Sequence, residues 1–129
     1  MNELTARQVA LEILTKTETN HGYLNLVYME VLKANSFSPL DAAFIKELVF
    51  GVYRNKLYLD YIIRANSSLR LKKIEPTVLN ILRLGVYQIL FMDKIPDHAA
   101  VSEAVSLSKK RSRGRTAGFV NAVLRSVLR

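Results

Sequence analysis

Residues 79–105 read LNILRLGVYQILFMDKIPDHAAVSEAV, and the rest of the chain is organised around them. Leu79, Leu82, Val86 and Leu90 recur at helical spacing with Ile89 beside them, which predicts an amphipathic helix whose apolar stripe needs partners. Gly85 inside such a helix costs about 1 kcal/mol relative to Ala. Its expected use is to admit a neighbouring helix at short range. Pro96 ends the run, and Asp97 is placed to cap a second helix bearing Val101, Ala104, Val105 and Ser108 as a small-residue stripe. The two helices form a hairpin-like joint.

At 129 residues the chain reads as one domain, residues 1–129, long enough to bury roughly two thirds of the surface its unfolded form exposes. Half of the residues are hydrophobic, and 5 Gly and 3 Pro are too few to punctuate many short strands, so the fold class expected is all-α. The absence of cysteine excludes a disulfide, a thiolate metal ligand and a cysteine nucleophile, and is compatible with the cytoplasm. The longest apolar runs fall below the roughly 18 residues that span a bilayer, and the N-terminus lacks a charged-then-apolar export signal. A soluble cytoplasmic protein with no membrane partner is expected.

Charge is distributed unevenly. Met1–Ala65 holds seven bases and seven acids, whereas Asn66–Arg129 holds twelve bases and four acids, so the formal net charge of +8 lies in the second half. A polyanion would be met there.

Taken in order, residues 4–17 carry Ala6, Val9, Ala10, Ile13 and Thr17 at helical spacing, with Thr5 or Asn2 as the cap and Arg7 on the exposed face. Residues 17–22 suit a loop into a helix bearing Leu24, Val27, Tyr28 and Val31. Ser38-Pro39-Leu40-Asp41 is the clearest helix start, with Ser38 as cap and Pro39 at the first helical position. One long helix is expected from there to about Ala65, burying Phe44, Leu48, Val52, Leu59, Ile62 and Ile63. Residues 66–73 form a polar, basic connector, and Pro76 restarts the chain. After the Pro96 joint the second helix leads into Lys109-Lys110-Arg111-Ser112-Arg113-Gly114-Arg115, five bases in seven residues, read as a loop. Thr116 is placed to cap a final helix with the rows Phe119–Val123–Val127 and Val120–Leu124–Leu128. The chain stops at Arg129 directly after this apolar pattern, as expected of a domain belonging to a longer protein.

The cationic run carries the strongest functional signal. A Gly-containing segment leading into a helix N-terminus offers free amides and positive charge to phosphate, and no acid follows Glu103 to neutralise it locally. Arg125 on the final helix adds to the same charge. Phe119, at the entrance of that helix, admits two readings: stacking on an unpaired base, or packing in its apolar row. Glu103 and Arg83 sit on the two hairpin helices at positions where an ion pair would be structural. Two distant histidines, His21 and His98, with no cysteine argue against a metal site. Tyr53, Tyr58, Tyr61 and Tyr87 have the spacing of core-edge residues with wet hydroxyls. There is no dinucleotide glycine motif after a strand, no P-loop, no nucleophile elbow and no carboxylate cluster, and hence no catalytic residue to name.

LRLGVYQILFMDKIPDHAAVSEAV at 82–105, GFVNAVLRSVLR at 118–129 and DAAFIKELVFGVYRNKLYLDYII at 41–63 together resemble the NusB-like RNA-binding fold over essentially the whole chain. That fold is shared by free transcription antitermination factors and by the N-terminal domain of ribosomal RNA small-subunit cytosine-C5 methyltransferases. The residues favour the second branch. Free factors typically have Tyr-Glu where Tyr87-Gln88 stand, Asn-Glu-Ala at Ser102-Glu103-Ala104, and Val-Asn-Gly-Val-Leu-Asp at Val120–Arg125. The resemblance implies a bundle of about six or seven helices that binds ribosomal RNA and positions the C-terminal methyltransferase domain of the same parent chain. The methyl donor, S-adenosylmethionine, would be held by that domain, so this chain alone is expected to have no cofactor and no enzymatic activity. In the family the first helix and the entrance of the last form the RNA face, which matches Arg7 and Phe119. The RNA-binding set is then Arg7, Lys109, Lys110, Arg111, Arg113, Arg115, Phe119 and Arg125. Two other functions fit the same residues: antitermination on a leader RNA with a ribosomal protein partner, and a docking scaffold whose basic surface meets an acidic protein.

Overall fold

Helix starts in this chain are set by short-range chemistry, and most of them stand where the sequence places them. The computed structural model describes residues 4–19, 23–112 and 114–129. Among these are seven α-helices and one 3-10 turn, with no strand, so the all-α expectation holds. The chain clusters into two units, Met1–Gly51 and Val52–Arg129.

The first unit holds α1 (Ala6–Thr19), α2 (Leu24–Ala34) and most of α3 (Pro39–Arg54). Thr5 is the cap of α1: its Oγ1 accepts the Gln8 N–H at 3.2 Å while Gln8 Oε1 accepts the Thr5 N–H at 2.7 Å, a reciprocal capping box. Asn2, the other candidate cap, and His21 lie outside the described residues. Ser38 caps α3 by accepting the Asp41 N–H at 3.1 Å. Val9, Ala10, Leu11 and Ile13 of α1 are buried, as are Ile45, Leu48 and Val49 of α3. The Arg7 guanidinium lies over the Phe44 ring at 5.1 Å, and Tyr28 meets Phe50 edge-on at 5.0 Å.

The long helix expected from residue 39 to 65 is two helices, α3 and α4 (Lys56–Asn66). The break falls at Asn55, whose φ of −106° and ψ of 15° leave the helical range, a backbone region that asparagine tolerates well. Periodicity could not reveal it. The buried positions Val52 and Leu59 are seven residues apart, so the apolar stripe stays in phase across the interruption.

In the second unit α5 (Pro76–Phe91) is the central element, packing against α4, α6 (Asp97–Ser112) and α7 (Ala117–Val127). Glu75 caps it by accepting the Thr77 N–H at 3.1 Å, with Pro76 at its first position. Every residue from Asn80 to Gln88 is buried, so the helix is covered on all sides rather than along one stripe, and Leu90 of the predicted stripe is exposed. Burying its polar members requires partners. Arg83 donates from Nε to Asp60 Oδ1 at 2.7 Å and from Nη2 to Asp60 Oδ2 at 2.9 Å, and its Nη1 reaches Asn80 Oδ1 at 2.9 Å. The ion pair therefore ties α5 to α4, and Glu103 is not its partner. Gln88 donates to the Leu84 carbonyl at 2.9 Å. Ser126 on α7 donates to Asn66 Oδ1 at 2.7 Å, closing the end of α4 against the last helix.

Gly85 has the use expected of it. A Cβ placed there would stand 2.9 Å from Leu124 Cδ1 of α7 and 3.6 Å from the Ala104 Cβ of α6, so both hairpin helices press on α5 at this point. Leu124 is fully buried and has little room to give. Gly85→Val is expected to lower the unfolding free energy by about 2–3 kcal/mol through overpacking, read as a drop in the urea midpoint. An unchanged midpoint would show that α7 does not bear on α5.

Candidate nucleic-acid interface

The hairpin of α6 and α7 carries the second unit's densest charge. Between Asp97 and Arg129 there are seven bases against two acids. Pro96, rather than Asp97, caps α6, its carbonyl accepting the Ala100 N–H at 3.1 Å, and Asp97 stands in the first turn, where a negative charge complements the helix dipole. Along α6 the small residues Ala100, Ala104 and Ser108 are buried, which lets the helix sit close to its neighbours.

Lys109, Lys110 and Arg111 form the last turn of α6, not a loop. The reason is local: Lys and Arg are good helix formers, and cations at a helix C-terminus are favoured by about 0.3–1 kcal/mol each. Arg113 lies outside the described residues. Gly114, at φ 87°, supplies the left-handed conformation that turns the chain back, and Arg115 is exposed in the same turn. The Ser108 and Thr116 hydroxyls are hydrogen-bonded across the turn. Thr116 stands at the cap position of α7, but its side chain is engaged with Ser108 rather than with the helix amides.

All of Lys109, Lys110, Arg111, Arg115 and Arg125 are exposed, and no carboxylate of the described residues pairs with them. Charge concentrated in this way and left uncompensated favours a polyanion. Phe119, on the first turn of α7, is half-buried. Arg7 belongs to the first unit and is engaged with Phe44. His98 is exposed, and no group of three or more potential metal ligands occurs among the described residues.

One feature of this hairpin has no counterpart in the sequence pattern. Between α6 and α7 runs a groove of about 580 Å³, floored by Val101 and Val105 and closed by Leu128, with Lys109 and Arg125 on its rim. Ser102 and Ser106 of α6 put small side chains along it, where larger ones would fill the space. Small outward residues on a helix look like ordinary solvated positions until the partner helix is in place.

A cationic helical hairpin laid on a buried central helix defines an all-α domain equipped to meet a polyanion. The chain belongs to the NusB family, whose model matches residues 4–129. It is 41% identical over 129 residues to the probable ribosomal RNA small subunit methyltransferase B of Bacillus subtilis, and covers 29% of that protein. It is also 32% identical to the transcription antitermination protein NusB of Clostridium novyi, covering 99% of it. Among solved structures it resembles NusB in a crystal structure of the antitermination factors NusB and NusE in complex with dsRNA, with a TM-score of 0.86 and 25% identity over 95% of this chain and 92% of that one. No helix among the described residues is long and apolar enough to cross a membrane.

Proposed function

We propose that this chain is a cytoplasmic RNA-binding domain that docks 16S ribosomal RNA for an S-adenosylmethionine-dependent cytosine-C5 methyltransferase, with the α6–α7 hairpin as its phosphate-contacting face. The observation that carries the reading is the row of exposed cations Lys109, Lys110, Arg111, Arg115 and Arg125 with no carboxylate of the described residues against them. Arg113 adds to this charge, and Phe119 is at hand to stack on an unpaired base. Arg7, on α1 of the first unit, is a further candidate, taken from the family resemblance. The methyltransferase assignment is supported by the 41% identity to the Bacillus subtilis enzyme against 32% to the Clostridium novyi factor. Gln88, Ser102 and Arg125, where free factors carry other residues, point the same way.

The donor chemistry belongs to the catalytic domain of the parent. This chain's own part is to bind and orient RNA, and by itself it neither binds the donor nor methylates.

A second reading, a free antitermination factor, is favoured by the near-complete coverage of the Clostridium novyi protein. The two separate by partner. Titrated with 16S ribosomal RNA fragments and with an antitermination leader RNA, each with and without a NusE-type ribosomal protein, the chain is expected to bind the 16S fragments without help. Binding only to the leader, and only with the ribosomal protein, would establish the second reading. Binding to acidic proteins and to neither RNA would make the basic face a protein-docking scaffold.

A further inference from the structure

We propose that the groove between α6 and α7 is a subsite for one unpaired ribonucleotide, its base on the apolar floor of Val101, Val105 and Leu128 and its phosphate held by Arg125 and Lys109. This rests on the RNA-binding reading and names what part of the RNA that face takes.

A volume of about 580 Å³ falls within the roughly 300–1,000 Å³ of small-ligand sites. The floor and rim have different chemistry. Val101 is buried and Leu128 is 40% exposed, so the floor presents hydrocarbon to a planar base. The rim carries two cations, and they are not equivalent. Arg125 Nε donates to Asn121 Oδ1 at 3.1 Å, one turn back on the same helix, which fixes the plane of the guanidinium. Its two terminal nitrogens remain as a fork suited to a phosphate. Asn121 in turn keeps its amide N–H₂ for a base carbonyl. The one carboxylate among the residues that line the groove is Asp97, at the start of α6 and so about three helical turns from Lys109. Two cations on the rim above an apolar floor match a nucleotide, its phosphate at the rim and its base below. Because a base in a duplex is stacked and paired, only an unpaired one can enter.

The test is methyl-resolved NMR on the whole 129-residue chain. The probes are a four-nucleotide single-stranded RNA, the matching abasic ribose-phosphate, a short RNA duplex and polyglutamate. Only the four-nucleotide RNA should shift the methyl resonances of Val101, Val105 and Leu128. Ser106→Phe, which fills the groove from an exposed position, and Arg125→Gln should each weaken the four-nucleotide RNA about tenfold, within the range for loss of one base contact. Ser106→Phe should leave duplex affinity unchanged. Wild-type affinity in both variants, or shifts confined to the turn after Lys109, would overturn the subsite while RNA binding stood. Equal groove shifts from polyglutamate would overturn it in favour of a protein partner. No binding to any RNA would overturn the functional reading together with the subsite.

Discussion

Replacing Asp60 by Ala is expected to lower the unfolding free energy by about 3 kcal/mol, the lower end of the cost of breaking a buried ion pair by removing one partner. The lower end applies because the Asp60 side chain retains 16% of its exposure, against 6% for Arg83. The two groups meet in a bidentate fork at 2.7 and 2.9 Å, the strongest geometry open to such a pair. Without the carboxylate, a guanidinium stays buried in α5 with its bidentate ion-pair partner removed. The double variant Asp60→Leu/Arg83→Met is expected to regain most of the loss, since two apolar side chains of similar volume carry no desolvation cost. Urea melts of the wild type, single variant and double variant check both points. A single variant within 1 kcal/mol of wild type would show that the pair orients α4 without stabilising it.

Alanine at Lys109, Lys110 and Arg111 together is expected to flatten the salt dependence of RNA binding. Each phosphate contact contributes about 0.7 to the slope of log K against log salt for a single strand and about 0.9 for a duplex, so the slope should fall by about 2–3. With the two lines meeting near 1 M salt, affinity at 0.1 M drops on the order of a hundredfold. The three residues end α6 and are exposed, and alanine is the best helix former, so the fold should survive with little change in Tm. Affinity measured against 16S fragments at four or five salt concentrations decides. A slope equal to wild type would move the phosphate-contacting face elsewhere on the chain.

Much of the fold is visible in residue spacing because helix boundaries obey local rules. Ser38-Pro39, Pro76 and Pro96 mark starts through capping chemistry and the missing proline N–H, and each helix begins there. Gly85 announced a close approach because no other residue type explains its place in an apolar helix. The misplacements also have local causes. The Asn55 break is masked by a seven-residue interval that keeps the stripe in phase, and the charge of Lys109–Arg111 suggests a loop although their helix propensity is high. The capping box at Thr5 and Gln8 was legible as Thr-x-x-Gln, a signal that periodicity overshadowed.

The site divides in the same way. By themselves, the residues determined an all-α class, a neutral first half, a positive second half and a cationic segment joining the last two helices, because charge and periodicity add up along the chain without reference to neighbours. Only the tertiary structure decided that Arg83 joins Asp60 rather than Glu103, that Phe119 is half-buried, and that Ser102 and Ser106 face a groove rimmed by Lys109 and Arg125. Each of these depends on which face of one helix meets which face of another. That choice is settled by packing between segments tens of residues apart, where spacing within a single helix carries no information.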